Sequence, residues 1–114
     1  MVRTVRTVVA NSFSLNMLGQ DAVVSCRKLT KEEFVERIKQ AKALVSIIGH
    51  QGAADLVSVI SGVKVEMNRV NFTISDDDIL LVVVIKERLS EGAVLGKEEA
   101  ERIGVDFWEV KKVR

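Results

Sequence analysis

The chain has 114 residues, which bounds it to about one domain around one hydrophobic core. Apolar residues make up 47% of it and charged residues 29%, so it reads as globular rather than disordered, and no apolar run reaches the roughly 18 residues of a membrane span. A net charge of +1, with four phenylalanines and one tryptophan, argues against a surface built for duplex nucleic acid, but it suits a small anionic ligand held by a few placed cations.

In chain order, Thr4 to Ala10 is β-branched and predicts a first strand, running into the polar turn Asn11-Ser12-Phe13-Ser14-Leu15-Asn16. Asp21 to Cys26 predicts a second, short strand. Thr30 with Glu33 three residues later forms a capping-box signature, and the helix after it places Phe34, Ile38 and Ala41 on one face. Ala43 to Ile48 is apolar and fits either a helix end or a strand, broken by Gly49. A second helix is expected from about His50 to Ser61, with Leu56, Val57 and Ile60 inward and Gly62 as its stop.

Val65 to Ile74 and Ile79 to Ile85 read as a hairpin across Ser75-Asp76-Asp77-Asp78, whose carboxylates are expected to be solvated. Leu80 to Ile85 is continuously apolar, as expected of a central strand covered on both faces. Lys97 to Ile103 predicts a short third helix and Asp106 to Val110 a closing strand. Lys111, Lys112 and Arg114 read as a solubilising basic tail. No linker or low-complexity tract divides the chain. The expected fold is one α/β domain over 1–114, a mixed sheet of about five strands flanked by helices.

Cys26 is the single cysteine, so no intrachain disulfide or cysteine-based metal site is expected. Neither a signal peptide nor a membrane segment is read from the sequence, and a cytoplasmic setting fits. One histidine without partners argues against zinc. No phosphate-binding glycine loop or nucleophile elbow is present. No metal and no cofactor are therefore expected.

His50 is the residue that draws most attention. It stands in Ile48-Gly49-His50-Gln51-Gly52, where glycines permit close backbone approach and the amides of Gln51 and Gly52 open a helix. A histidine at that place can exchange a proton near neutral pH, or it can simply cap the helix. Arg88 and Glu91 follow the most buried strand, where an arginine can clamp a phosphate and a carboxylate can orient it; a solvated ion pair is the alternative. Asn68-Arg69 interrupts a strand-like run, where the two can face a ligand edge or simply solvent, and Asn11, Ser14 and Asn16 offer short polar side chains for a ribose or base, or for the turn itself.

These patches resemble those of one family. Asn11-Ser12-Phe13-Ser14-Leu15-Asn16-Met17-Leu18 is similar to its Asn-Ala-Phe-Ser-Ile-Asn-Met-Leu segment. Ile48-Gly49-His50, Asn68-Arg69-Val70 and Arg88-Leu89-Ser90-Glu91-Gly92 match its Ile-Gly-His, Asn-Arg-Val and Arg-Leu-Glu-Glu-Gly, in order and at similar separations. The family is the viral type III anti-CRISPR ring nucleases with their cellular CRISPR-associated counterparts.

The resemblance implies a homodimer holding cyclic tetra-adenylate across its twofold axis. It implies metal-independent cleavage to linear di-adenylates by attack of a ribose 2′-hydroxyl on its own 3′-phosphate. His50, Arg88 and Glu91 are then catalytic. Asn11, Ser14, Asn16, Gln51, Gly52 and Arg69, with Arg88, then bind the ring. The setting would be the host cytoplasm if the protein is viral. Two departures stand out: Gln51-Gly52-Ala53 replaces the family's Asp-Ser-Thr, and Glu87 replaces its glutamine. A cyclic oligoadenylate sensor or sponge that does not cut, and a small dimeric interaction protein without a nucleotide, are the alternative readings.

Overall fold

The computed structural model describes residues 5–86 and 104–113. Five strands form one mixed sheet: β1 (Arg6–Ala10), β2 (Val24–Leu29), β3 (Ala43–Ser46), β4 (Ile79–Ile85) and β5 (Val105–Lys112), in the order β2-β5-β4-β1-β3. β1 runs parallel to both β3 and β4, while β5 is antiparallel to β4 and β2. Among the described residues there are two α-helices, α1 (Lys31–Gln40) and α2 (Gln51–Ser61). The predicted third helix over 97–103 lies outside the described residues.

Local chemistry sets the helix limits. Thr30 Oγ1 accepts the Glu33 amide at 3.1 Å and Glu33 Oε1 accepts the Thr30 amide at 3.0 Å, so the capping box forms as its sequence predicts. α2 ends on Gly62, whose φ of 73° is a left-handed conformation that costs a glycine nothing.

Both helices pack on one face of the sheet. Phe34 and Ile38 of α1 join Ala53, Leu56 and Val57 of α2 over Val9, Leu81, Val83 and Phe107. Phe34 and Phe107 meet with ring centroids 4.6 Å apart. Among the described residues, the opposite face, with Val8, Ala10, Leu80, Val82 and Val110, is covered by segments carrying Phe13, Met17, Leu18, Phe72 and Ile74 rather than by an α-helix. Burial from both sides explains why Leu80 to Val83 carries no polar residue.

The expected hairpin does not form. β4 has β1 on one edge and β5 on the other, so no edge remains for residues 65–74. That segment instead passes from one face of the sheet to the other, with Val65 buried on the helix side and Ile74 on the opposite side. Isolated backbone bonds tie it, from the Asn68 amide to the Ile48 carbonyl (2.8 Å) and from the Ile74 amide to the Met17 carbonyl (2.8 Å), while the Ser58 hydroxyl accepts the Val65 amide at 2.8 Å.

β2 begins three residues later than predicted because its pairing with β5, from Val24 opposite Lys112 to Leu29 opposite Phe107, sets its register. The apolar run Ala43 to Ile48 resolves as strand β3, an edge strand beside β1. Lys111 and Lys112 are part of β5 rather than a free tail, and Lys112 Nζ lies 3.2 Å from Asp76.

The acidic turn is not wholly solvated either. Asp78 is 5% exposed and accepts Arg6 Nε at 2.9 Å and Nη2 at 2.6 Å, plus the Ser75 amide at 2.8 Å. Arg6 also lies over the Phe72 ring, 5.3 Å from its centroid. Burial pushes the Asp78 carboxyl upward, but the hydrogen bonds from Arg6 and Ser75 and the guanidinium charge outweigh it and hold the group below the usual carboxylate range.

Candidate functional site

The site is built where parallel strands end side by side. β1 stops at Ala10 and β3 at Ser46, and the chain turns through 47–50 into α2. Functional groups collect at such carboxyl ends because adjoining loops diverge there and leave a crevice. Parallel β4 leaves the sheet at the same end, after Ile85.

The turn is tied at nearly every peptide. The Ile47 amide donates to the Val9 carbonyl at 2.9 Å and prolongs the β1–β3 ladder by one bond. The Ile48 amide donates to Ser46 Oγ at 3.3 Å, while Asn68 Nδ2 donates to the Ser46 carbonyl at 2.8 Å. Asn11 Oδ1 accepts the Gly49 amide at 3.2 Å. Arg69 closes the set, donating to the Gly49 carbonyl from Nε at 3.3 Å and from Nη2 at 2.8 Å.

His50 follows as the N-cap of α2, with extended backbone (φ −136°, ψ 125°) and an exposed side chain. Its Nδ1 accepts the Gly52 amide at 3.1 Å. A ring nitrogen that accepts an N–H carries no proton, so the neutral ring holds its hydrogen on Nε2. The structure thus makes His50 a helix cap, and the remaining nitrogen is a donor.

The tertiary fold brings Asn11, Gly49, His50 and Arg69 together from three parts of the chain. Gly52 lies within the same turn, its amide already engaged by His50. Gln51 is adjacent, but its Nε2 donates to Asp55 Oδ1 at 2.8 Å, along the helix. Ser14 and Asn16 are exposed on the 3-10 turn at Leu15–Met17 that follows Asn11. Arg88, Glu91 and Glu87 lie outside the described residues.

Sequence reading missed Ser46 and treated Asn68 as a possible ligand contact. Both are ties of the turn. The available signal was a lone serine near the end of an otherwise apolar strand, just ahead of Gly49. Among the described residues, no group of three or more His, Cys, Asp or Glu side chains is arranged to hold a metal ion, and no helix is long and apolar enough to cross a membrane.

The fold has a counterpart in a known protein. The structure is similar to B116 of Sulfolobus turreted icosahedral virus, with a TM-score of 0.81 and 30% identity over 93% of this chain and 98% of that one. The sequence is 34% identical over 102 residues to protein 26 of Sulfolobus islandicus filamentous virus, covering 88% of this chain and 86% of the relative. It is 29% identical over 106 residues to ORF117 of Acidianus two-tailed virus, covering 91% of each. The family described as STIV B116-like matches residues 7–107. The chain therefore belongs to the STIV B116-like family of archaeal virus proteins.

Proposed function

We propose that this protein is a metal-independent ring nuclease of the type III anti-CRISPR kind. In this reading a homodimer binds cyclic tetra-adenylate across its twofold axis in the host cytoplasm. It cuts the ring to linear di-adenylates and so removes the messenger that activates defence ribonucleases. The observation that carries the reading is the placement of His50 directly after Gly49, whose carbonyl Arg69 holds, at the carboxyl end of the parallel strands.

The chemistry asks little more of the protein than placement. The 2′-oxygen bonds to phosphorus, the bond from phosphorus to the 5′-oxygen breaks, and the leaving 5′-oxygen takes a proton. The nucleophile is already tethered to the phosphate it attacks, so alignment supplies much of the rate and no metal is needed to generate it. Nε2 of His50 gives the proton as general acid. For Nε2 to give up its hydrogen and leave a neutral ring, Nδ1 must carry a hydrogen of its own, so the Gly52 amide has to release Nδ1 when His50 acts as the acid. Arg69 has three N–H groups beyond the two that hold Gly49, enough to engage a phosphate. Arg88 and Glu91 complete the set by resemblance.

A second reading, a cyclic oligoadenylate binder that does not cut, has one observation in its favour. While Nδ1 accepts the Gly52 amide, Nε2 is placed to donate a hydrogen bond to a ligand rather than to transfer its hydrogen. A single-turnover assay with protein in excess over labelled cyclic tetra-adenylate, in EDTA, separates the two. Rapid appearance of linear di-adenylate supports the nuclease. An intact ring that stays bound supports the binder, and the absence of both removes nucleotide recognition.

A further inference from the structure

Gly49 is held on three sides. Its amide donates to Asn11 Oδ1 at 3.2 Å, and its carbonyl accepts two N–H groups of Arg69 at 3.3 and 2.8 Å. A Cβ added at Gly49 would meet Arg69 Nε at 3.4 Å, Cγ at 3.7 Å and Cβ at 3.9 Å, so the arginine stem lies over its α-carbon. The peptide plane before Gly49 is fixed by Asn11 and by the Asn68 amide on the Ile48 carbonyl. The plane after it, fixed by Arg69, is the one that sets where the α-carbon of His50 lies.

This clamp matters because of how lightly the His50 ring is held. Its side chain is exposed, and among the described residues the ring makes one hydrogen bond, to Gly52 within its own turn, while the His50 carbonyl accepts the Ala54 amide. An exposed ring at the end of a helix can shift whenever the peptide before it is released, and misplacement by about 1 Å costs on the order of a hundredfold in rate. Asn11 comes from the end of β1 and Arg69 from the segment between α2 and β4. The clamp therefore joins the His50 turn to two separately anchored parts of the chain.

We infer that Asn11 and Arg69 are positioning residues for His50: they fix the two peptide planes of Gly49, and Asn11 does so through its Oδ1 acceptor rather than by donating to a ligand. The kinetic consequence rests on the ring nuclease reading, whereas the clamp itself does not. Only the amide oxygen of asparagine can accept an N–H, and an aspartate oxygen at the same place can accept it equally. A role for Nδ2 as a donor to the ring would be lost in both Asn11→Ala and Asn11→Asp.

The test compares those two variants with wild type in two measurements. The first is Gly49 amide hydrogen exchange, with the ring-nitrogen shifts of His50 read by NMR, where the protein's single histidine leaves no ambiguity. The second is single-turnover cleavage of cyclic tetra-adenylate at saturation, with Kd measured separately. Asn11→Ala is expected to speed Gly49 exchange about tenfold and to slow the saturated step by roughly tenfold to a hundredfold. Asn11→Asp is expected to bring both back to within about threefold of wild type, while its charge weakens binding of the anionic ring.

Cleavage by Asn11→Asp as slow as by Asn11→Ala would overturn the inference and assign Nδ2 to the ligand. If wild type does not cleave, the ring nuclease reading falls and the clamp is judged on exchange alone. Faster Gly49 exchange in Asn11→Ala, recovered in Asn11→Asp, upholds it. Equal exchange in all three proteins overturns it.

Discussion

His50 and Gly52 share a hydrogen bond that sets the tautomer of the histidine in this structure: the Gly52 amide donates to Nδ1 at 3.1 Å and leaves the ring hydrogen on Nε2. The same bond caps α2, so replacing His50 by alanine disturbs fold and chemistry together. Asparagine separates them, because its side-chain oxygen is a favoured helix cap and it has no transferable proton. His50→Asn is expected to melt within about 0.5 kcal/mol of wild type while single-turnover cleavage falls roughly 10²- to 10⁴-fold. Thermal melts and the cleavage assay check both halves, and wild-type turnover by this variant would remove His50 as the acid.

Arg69 carries charge and a fork at once. Lysine keeps the charge but cannot hold the Gly49 carbonyl from two nitrogens. Arg69→Lys is therefore expected to weaken ring binding by about threefold to tenfold, and Arg69→Ala by about tenfold more. Titration of labelled cyclic tetra-adenylate measures this, and unchanged affinity in Arg69→Ala would take the arginine out of ligand binding.

The Arg6–Asp78 pair makes stability depend on pH in one direction. The folded Asp78 carboxyl is held below its unfolded value, chiefly against the opposing effect of burial, by Arg6 and Ser75. Its contribution is thus present in full above about pH 4 and is lost as pH falls through the lower, folded value. Arg6 is 39% exposed and can be rehydrated when its partner is removed. Asp78→Asn should therefore cost about 1–3 kcal/mol at pH 7 and flatten the acid limb of the stability curve, as read by urea unfolding from pH 7 down to pH 3.

The capping box of α1 gives a local check. Thr30→Ala removes the oxygen that accepts the Glu33 amide, while the main-chain amide at position 30 can still donate to Glu33 Oε1. A loss of about 1 kcal/mol with an unchanged denaturant slope is expected in equilibrium unfolding. A change in slope would mean that the helix start also organises the unfolded chain.

The sequence by itself determined the features whose causes lie within a few residues. Thr30 and Glu33 are three positions apart, and that spacing alone starts α1. Gly62 ends α2 because a left-handed residue is needed at its C-cap and glycine supplies it. The unbroken apolar run of β4 announced burial on both faces. His50 was legible as a helix N-terminal residue beside two glycines, and the order of the matching patches pointed to a family with viral and cellular members, of which the matching relatives are viral.

Only the tertiary structure decided what those elements do together. The β-branched run from Val65 to Ile74 has a strand's composition, yet β1 and β5 occupy both edges of β4 and leave it to wrap the sheet instead. Asp78 sits in a run of three aspartates and becomes a buried partner of Arg6, 72 positions away. Asn11 and Arg69 reach Gly49 across 38 and 20 positions. Propensity and periodicity act over one or two turns of chain. Which strand edges are already filled, and which carbonyl an arginine finds, depends on the packing of the whole sheet.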